Sequence, residues 1–312
     1  MDNLTHSLVG ALLGQAGLKR KTGLGMPALI IGANIPDIDA TCVLLGDMQH
    51  LALRRGLTHG PIAWVLLPLL LAGALYGFDR WQAGRGKRPE GRAPIHFGWL
   101  YALSLIACLT HPFFDWLNSY GIRLLEPFSH RWFYGDVLFI IDLWLWLGMG
   151  FATWLSLRRE KRGGEWRKPA QIAIAGTLAY IGLNSAITAA AETRGRLMEP
   201  YLPRQVAIAN PTPLTFWRRD LIVGQQAEWW AANAATGVAE PVTDQPCAWP
   251  ATDHLRRTRP DLDAFLFWSR APFAERAPDG SVLIRDARYY DPLSSGRFTV
   301  ALAEVRCQSP TE

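Results

Sequence analysis

Cysteine is scarce in this chain, with four residues in 312 and no Cys-x-x-Cys pair. That excludes a zinc ribbon and a thioredoxin-type motif. Charge is scarce wherever apolar residues are dense. Residues 61–78 hold no charged side chain over 18 positions and residues 169–191 none over 23. Residues 97–114 contain only His111 as an ionisable group, and residues 137–157 only Asp142. Each run is long enough to cross a hydrocarbon core of about 30 Å as a helix, so a wholly soluble protein is excluded. The opening Met1-Asp2-Asn3 lacks the basic residues of a signal-peptide n-region. The net charge of +5 is no nucleic-acid signal, because the basic residues cluster in short loops between apolar runs, where membrane orientation accounts for them. No nucleic-acid partner is expected.

Two shorter apolar stretches, 4–18 and 26–36, precede the four long runs and read as short helices sheltered by the others. The expected fold is a mainly α membrane protein of about six membrane helices, two of them short, with a C-terminal soluble β or α+β domain. The division falls into a membrane helical domain, 1–194, and a soluble extracytoplasmic domain, 195–312. Loops 19–21, 79–94 and 158–168 carry three, five and six Lys and Arg residues, while the alternate loops carry two each. The positive-inside rule then places the three basic loops in the cytoplasm. Six segments starting outside bring the C-terminal domain outside as well. Many of the 14 tryptophans lie near the ends of apolar runs, where membrane interfaces favour them.

Ionisable residues in the membrane part are few and patterned. Leu-Thr-His occurs three times, ending at His6, His59 and His111. Asp37 and Asp39 follow Pro36, and His111 and Asp115 have the i, i+4 spacing that puts both on one helix face. Pro112 between them requires a kinked or restarted helix. By the orientation above, His6, Asp37, Asp39, His59, His111 and Asp115 all fall toward the external ends of their segments. An Asp at the centre of a membrane helix costs about 2.5–3.5 kcal/mol, and the segments offer too few Lys or Arg to pair with three of them. A bound metal offsets that cost, since a structural zinc site contributes about 10–16 kcal/mol. Imidazole and carboxylate donors suit zinc, then manganese or iron. Thr5, Thr58 and Thr110 are placed to orient the ligands. A lone membrane histidine more often serves packing or hydrogen bonding, and Asp37 and Asp39 also suit turn and cap positions. The convergence of six candidates on one face favours metal over those readings. Arg54 and Arg55 are membrane-flanking charges or an anion site, and Asp142 either supports the metal ligands or pairs with an arginine. His50, His96 and His130 lie near loops and are not expected to be ligands.

The motif order MDNLTH, NIPDID, RRGLTHG and THPFFDWLNSYGIRLLEPFS within residues 1–130 resembles the bacterial YdjM-type membrane-bound metal-dependent hydrolases. The stretches NPTPLTFWRRD at 210–220 and FLFWSRAPFA at 265–274 resemble the C-terminal domain of some members. The resemblance implies an inner-membrane, multi-pass protein with His6, Asp37, Asp39, His59, His111 and Asp115 as its site positions. A looser similarity to zinc-dependent phospholipases C stops short of their later His and His-x-x-x-Glu ligands, so a complete three-metal site is not expected.

The C-terminal part has short alternating runs, such as 281–288 and 297–302, that read as strands. Its aromatic residues Trp217, Trp229, Trp230, Phe265, Phe267 and Trp268 read as core. Cys247 and Cys307, alone in a domain placed in an oxidising compartment, are candidates for a disulfide. The expected function is hydrolysis of a lipid or a lipid-linked ester or phosphoester at the external face, with membrane lipid as partner and Asp39 as general base. A non-enzymatic metal-binding scaffold, an envelope stress protein and a transporter are the alternatives.

Overall fold

The computed structural model describes residues 1–46, 48–198, 206–225, 227–233, 235–290, 294 and 296–309. The chain forms two compact units. One comprises Met1–Asp39, Arg55–Ser185 and Pro213–Phe216; the other comprises Ala40–Arg54, Ala186–Thr212 and Trp217–Glu312.

The first unit is helical. Helix α1 (Asn3–Gln15) starts at Asp2, whose carboxylate accepts from the Leu4 and Thr5 amides at 2.9 and 3.0 Å, satisfying donors that the first turn leaves without partners. Helix α2 (Gly25–Gly32) packs on α1 so closely that a Cβ on Gly10 would lie 2.6 Å from the Leu29 carbonyl oxygen. Small residues permit this approach between helices in a membrane. After α2 the chain turns by 43° into a 3-10 stretch, Ile35–Leu45, which carries Asp37 and Asp39.

Helix α3 (Gln49–Leu53) belongs to the second unit. Helices α4 (Pro61–Gly84), α5 (Phe97–Trp116), α6 (Leu143–Lys161) and α7 (Arg167–Arg196) follow. Helix α5 runs unbroken through Pro112, which is buried. One apolar core gathers Val9, Leu12, Phe114, Leu138 and Met149, and another gathers Leu29, Leu71, Leu100 and Leu103.

Among the described residues three helices, α4, α5 and α7, are long and apolar enough to cross a membrane, or four spans result if the bent pair Gly25–Gly32 and Ile35–Leu44 counts as one. Six membrane helices are therefore more than helix length supports. At a rise of 1.5 Å per residue the 13 residues of α1 reach about 20 Å, short of a hydrocarbon core of about 30 Å. The apolar run expected from residue 137 becomes helical only at Leu143, and α6 ends in Arg158, Arg159, Glu160 and Lys161.

The second unit is an α+β arrangement. Strands β1 (Val206–Pro211), β2 (Arg219–Gln225), β3 (Glu228–Ala232) and β4 (Ala239–Pro241) form an antiparallel meander, and β5 (Pro272–Arg276), β6 (Ser281–Asp286) and β7 (Thr299–Arg306) a second antiparallel sheet. Both strands expected from alternation in the last third of the chain are present as β6 and β7. Ile208, Ile222, Trp229 and Phe273 share one core, and the Trp229 indole donates to the Pro272 carbonyl at 3.0 Å. Helices α8 (Thr252–Thr258) and α9 (Pro260–Trp268) precede β5, and α3 packs on α9. Cys247 and Cys307 form a disulfide. Trp229, Phe265 and Trp268 are core residues as expected, whereas Trp217 is 56% exposed. It precedes the first residue of β2, where no inward-facing position of the sheet receives it.

Candidate metal centre

His59, His111, Asp115 and Asp37 each present one ligand atom, and the four atoms lie within 4.8 Å of one another. Each arrives by a different local route. His111 and Asp115 are one helical turn apart on α5, so their meeting follows from the 3.6-residue period; Asp115 Oδ2 is 3.5 Å from His111 Nε2. His59 closes the 3-10 turn Leu57–His59 that precedes α4. Its neighbour Gly60 is obligatory, since a Cβ there would lie 1.9 Å from the Glu126 carbonyl oxygen. Asp37 comes from the 3-10 stretch after α2, 3.7 Å from His111 Nε2. His59, His111 and Asp115 are completely buried.

The hydrogen-bond network assigns the imidazole protons. His111 Nδ1 donates to the Ala33 carbonyl at 2.7 Å, so the lone pair of that ring is on Nε2. Thr58 Oγ1 donates to Asp39 Oδ2 at 2.9 Å, which leaves it to accept from His59 Nδ1 at 2.9 Å. The lone pair of His59 is therefore also on Nε2. These two Nε2 atoms stand 3.1 Å apart, each aimed at Asp115 Oδ2, 3.4 Å from His59 and 3.5 Å from His111. Two lone pairs and a carboxylate facing one point repel each other unless a proton or a metal ion sits among them. Zinc bonds of about 2.0–2.2 Å at the tetrahedral angle place neighbouring ligand atoms about 3.3–3.6 Å apart, close to the separations among His59, His111 and Asp115, so the donor set fits a divalent ion in both chemistry and spacing.

His6 is completely buried and stacks on His111 with ring centroids 3.8 Å apart. Its Nε2 is 3.4 Å from Asp115 Oδ1, and neither ring nitrogen makes a hydrogen bond. It thus borders the cluster from the opposite oxygen of Asp115 and is not one of the four convergent ligands.

Asp39 does not share their point either. Its Oδ2 lies 3.3 Å from His59 Nδ1, on the far side of the ring, and also accepts from the Arg55 amide at 2.8 Å. The alternation of an extended turn would have sent Asp37 and Asp39 to one side; the 3-10 geometry of Ile35–Leu45 separates them. A position behind the ring suits holding a tautomer, not abstracting a proton from substrate.

Arg55, read from the sequence as a membrane-flanking charge or an anion site, is the partner of a buried carboxylate. It is 3% exposed, with Nε 2.9 Å from Asp115 Oδ2. Nη1 donates to Asn118 Oδ1 at 3.0 Å and to the Gly121 carbonyl at 3.2 Å, and the guanidinium lies over the Tyr120 ring. These contacts tie the guanidinium to Asp115 and to the Asn118–Gly121 turn inside the protein. Its backbone is left-handed, φ +52°, and is held by the Asp39 contact and by the Arg123 amide donating to its carbonyl at 2.9 Å. The Met1 amino group also contacts Asp115. The Arg55 guanidinium and the Met1 amino group together fall short of the three carboxylates Asp37, Asp39 and Asp115, and the remaining negative charge favours a metal cation.

The threonines of the repeated tripeptide divide by position. Thr58 links His59 to Asp39 as described. Thr5 Oγ1 donates to Asp2 at 2.6 Å, and Thr110 Oγ1 donates to the Ala107 carbonyl at 2.6 Å within its own helix, so neither orients a ligand ring. Asp142 is the N-cap of α6, accepting from the Leu145 amide and from the Tyr180 hydroxyl, both at 3.0 Å. It neither supports the cluster nor pairs with an arginine in those contacts. His130 pairs with Glu126 at 2.9 Å; His50 and His96 are not among the convergent residues. The pairing of Arg55 with Asp115 and the part of Asn118 were not foreseen, although both residues lie within the site's motifs, RRGLTHG and DWLNSYG.

Among curated proteins, an uncharacterized protein, YfhP of Bacillus subtilis (strain 168), is 30% identical over 140 residues, which cover 42% of this chain and 39% of that protein. The chain thus matches well under half the length of that relative. No solved structure matches. The model of the YdjM inner membrane protein family matches residues 1–191, which include every residue of the centre. The chain belongs to the YdjM inner membrane protein family.

Proposed function

We propose that this inner-membrane protein is a divalent-metal-dependent hydrolase. Zinc is its first candidate ion, then manganese or iron, and its substrate is a lipid or a lipid-linked ester or phosphoester. The observation that carries the reading is the pair of Nε2 atoms 3.1 Å apart with both Nδ1 protons committed elsewhere. His59, His111 and Asp115 would hold the ion, and Asp37, the most distant of the four donors, would complete or vacate its shell. Three close protein ligands with a fourth position to spare is the pattern of catalytic sites; a structural site is closed by four. When bound, the ion would polarise the scissile group and lower the pKa of water in the site. Asp39 acts through Thr58 as a positioning residue for His59, a revision of its expected role as general base. Ala33 does the same for His111, and Arg55 holds Asp115 and limits the charge around it.

The proposed orientation has loops 19–21, 79–94 and 158–168 in the cytoplasm and the C-terminal unit outside. The basic-residue asymmetry supports it, as does a disulfide in that unit, since such bonds persist in oxidising compartments. The short helices α1, α2 and α6 count as membrane-embedded segments in this reading.

The test is metal analysis of the purified, detergent-solubilised protein beside His59→Ala and His111→Ala, with turnover of lipid esters and phosphoesters assayed before chelation, after it, and after zinc is restored. The expected result is bound metal and metal-dependent turnover in wild type, with both lost in the variants. A metal-free wild type overturns the centre. A metal-loaded protein without turnover leaves the centre and favours a scaffold. Reporter fusions after residue 195 should be active outside the cytoplasm, and fusions at 85–90 inside; a cytoplasmic C-terminal reporter refutes the orientation.

A further inference from the structure

The second unit contains a groove of about 1260 Å³ that the metal centre does not use. One wall is the last turns of α7, and the other comes from β1, β2, β3 and the segment before β2. The wall changes character along α7. Ile187, Ala190 and Ala191 end the uncharged run 169–191 and are small or apolar; Arg194 follows one turn later. Trp217, Arg218 and Arg219 also line the groove. Trp217 is 56% exposed, a large cost for an indole unless something apolar covers it. Asn210 also lines the groove. It is only 8% exposed, its amide nitrogen donates to the Arg288 carbonyl at 3.0 Å, and its Oδ1 has no hydrogen-bond partner. A buried carbonyl oxygen left in that state costs free energy that a donor on a ligand would recover.

Arg288 is neutralised by Asp286 at 2.8 Å. Arg219 donates through Nε to Thr188 at 2.9 Å. Asp220 and Glu240 are the carboxylates of the lining, against the guanidiniums of Arg194, Arg218 and Arg219. The lining is therefore cationic on balance, and its cations stand beside an apolar wall that continues a candidate membrane span.

We propose that this groove binds an anionic amphiphile. Its headgroup, a phosphate bearing a hydroxyl such as phosphatidylglycerol carries, lies between Arg194 and Arg218, with the hydroxyl donating to Asn210 Oδ1. Its apolar chain runs along Ile187 and Ala190 beneath Trp217. Guanidinium fits such headgroups through paired hydrogen bonds. The proposal does not rest on the metal reading, and the two fail separately.

The experiment is native mass spectrometry of the full-length protein in a neutral detergent, titrated with phosphatidylglycerol, with phosphatidylcholine of the same chains, and with inorganic phosphate. Phosphatidylglycerol should form a single tight adduct, at least about tenfold tighter than phosphatidylcholine. Arg194→Gln with Arg218→Gln should weaken it by about tenfold or more, and the double lysine variant should restore part of the loss. Ala190→Trp, which narrows the apolar wall, should weaken the lipid adduct in a protein whose disulfide and metal content are unchanged. Equal binding of the two lipids, full retention by the double glutamine variant, or saturation by inorganic phosphate alone would each overturn the proposal.

Discussion

Replacing Thr58 with valine deletes one hydroxyl and keeps the side-chain shape. That hydroxyl donates to Asp39 Oδ2 at 2.9 Å and accepts from His59 Nδ1 at 2.9 Å. Without it His59 meets Asp39 only at 3.3 Å, beyond ordinary hydrogen-bond length, and the ring is free to take the tautomer with its proton on Nε2. A proton there removes a metal donor. Outer contacts of this kind are worth about 10- to 100-fold in metal affinity, or about 1.4–2.7 kcal/mol. The natural control is Thr110→Val. Thr110 occupies the same tripeptide one residue before His111, yet its hydroxyl reaches only the Ala107 carbonyl, and His111 is oriented by Ala33 instead. Competition between the purified protein and a zinc-chelating dye should show the Thr58→Val affinity reduced by one to two decades and the Thr110→Val affinity within about twofold of wild type. Equal losses in the two variants, or none in either, refute the assignment of protons on which the centre rests.

Arg55→Met should cost about 3–5 kcal/mol, the usual penalty for leaving one member of a buried pair alone, because Asp115 loses a cation at 2.9 Å; thermal unfolding in detergent measures it, and zinc should restore part of the loss. Cys247→Ser should destabilise the C-terminal unit by about 4 kcal/mol, from the loop entropy of a 60-residue separation, read as faster proteolysis of that unit; unchanged proteolysis counts against the bond. The stability of the same unit should depend on pH through Asp286. Burial alone would raise its carboxyl, but Arg288, Ser269 and the Arg288 amide outweigh that and hold it below the usual carboxylate range. A depressed folded value means that the stabilisation is complete above the unfolded value of about 3.9 and is lost as pH falls below it toward the folded value. Wild type should therefore lose stability in that acid window, and Asp286→Asn, already destabilised at neutral pH, should show a flatter profile.

Much of this protein was legible in one dimension because the controlling physics is local or pairwise. The length of a charge-free run decides whether a helix can span hydrocarbon, so α4, α5 and α7 were visible directly. Helical period alone brought His111 and Asp115 together. Alternation exposed β6 and β7, and the count of cysteines in the C-terminal part left one pairing there. Boundaries were less legible. The apolar run from 137 hid an N-cap at Asp142, because a run of hydrophobicity carries no mark of where its backbone becomes helical.

The roles within the centre depended on contacts between residues far apart in the chain. Asp37 and Asp39 are chemically identical, and only the 3-10 turn sends one toward the ligands and the other behind His59. Three threonines share one tripeptide, and only Thr58 has an acceptor across the ring to complete a link. Arg55 looked like a flanking charge until Asp115, 60 positions later, proved to be its partner. Composition and spacing determine which atoms are available and which faces they occupy. Whether a donor is a ligand, a prop for a ligand or a counter-charge depends on separations of about 3 Å, and those are settled only when the helices pack.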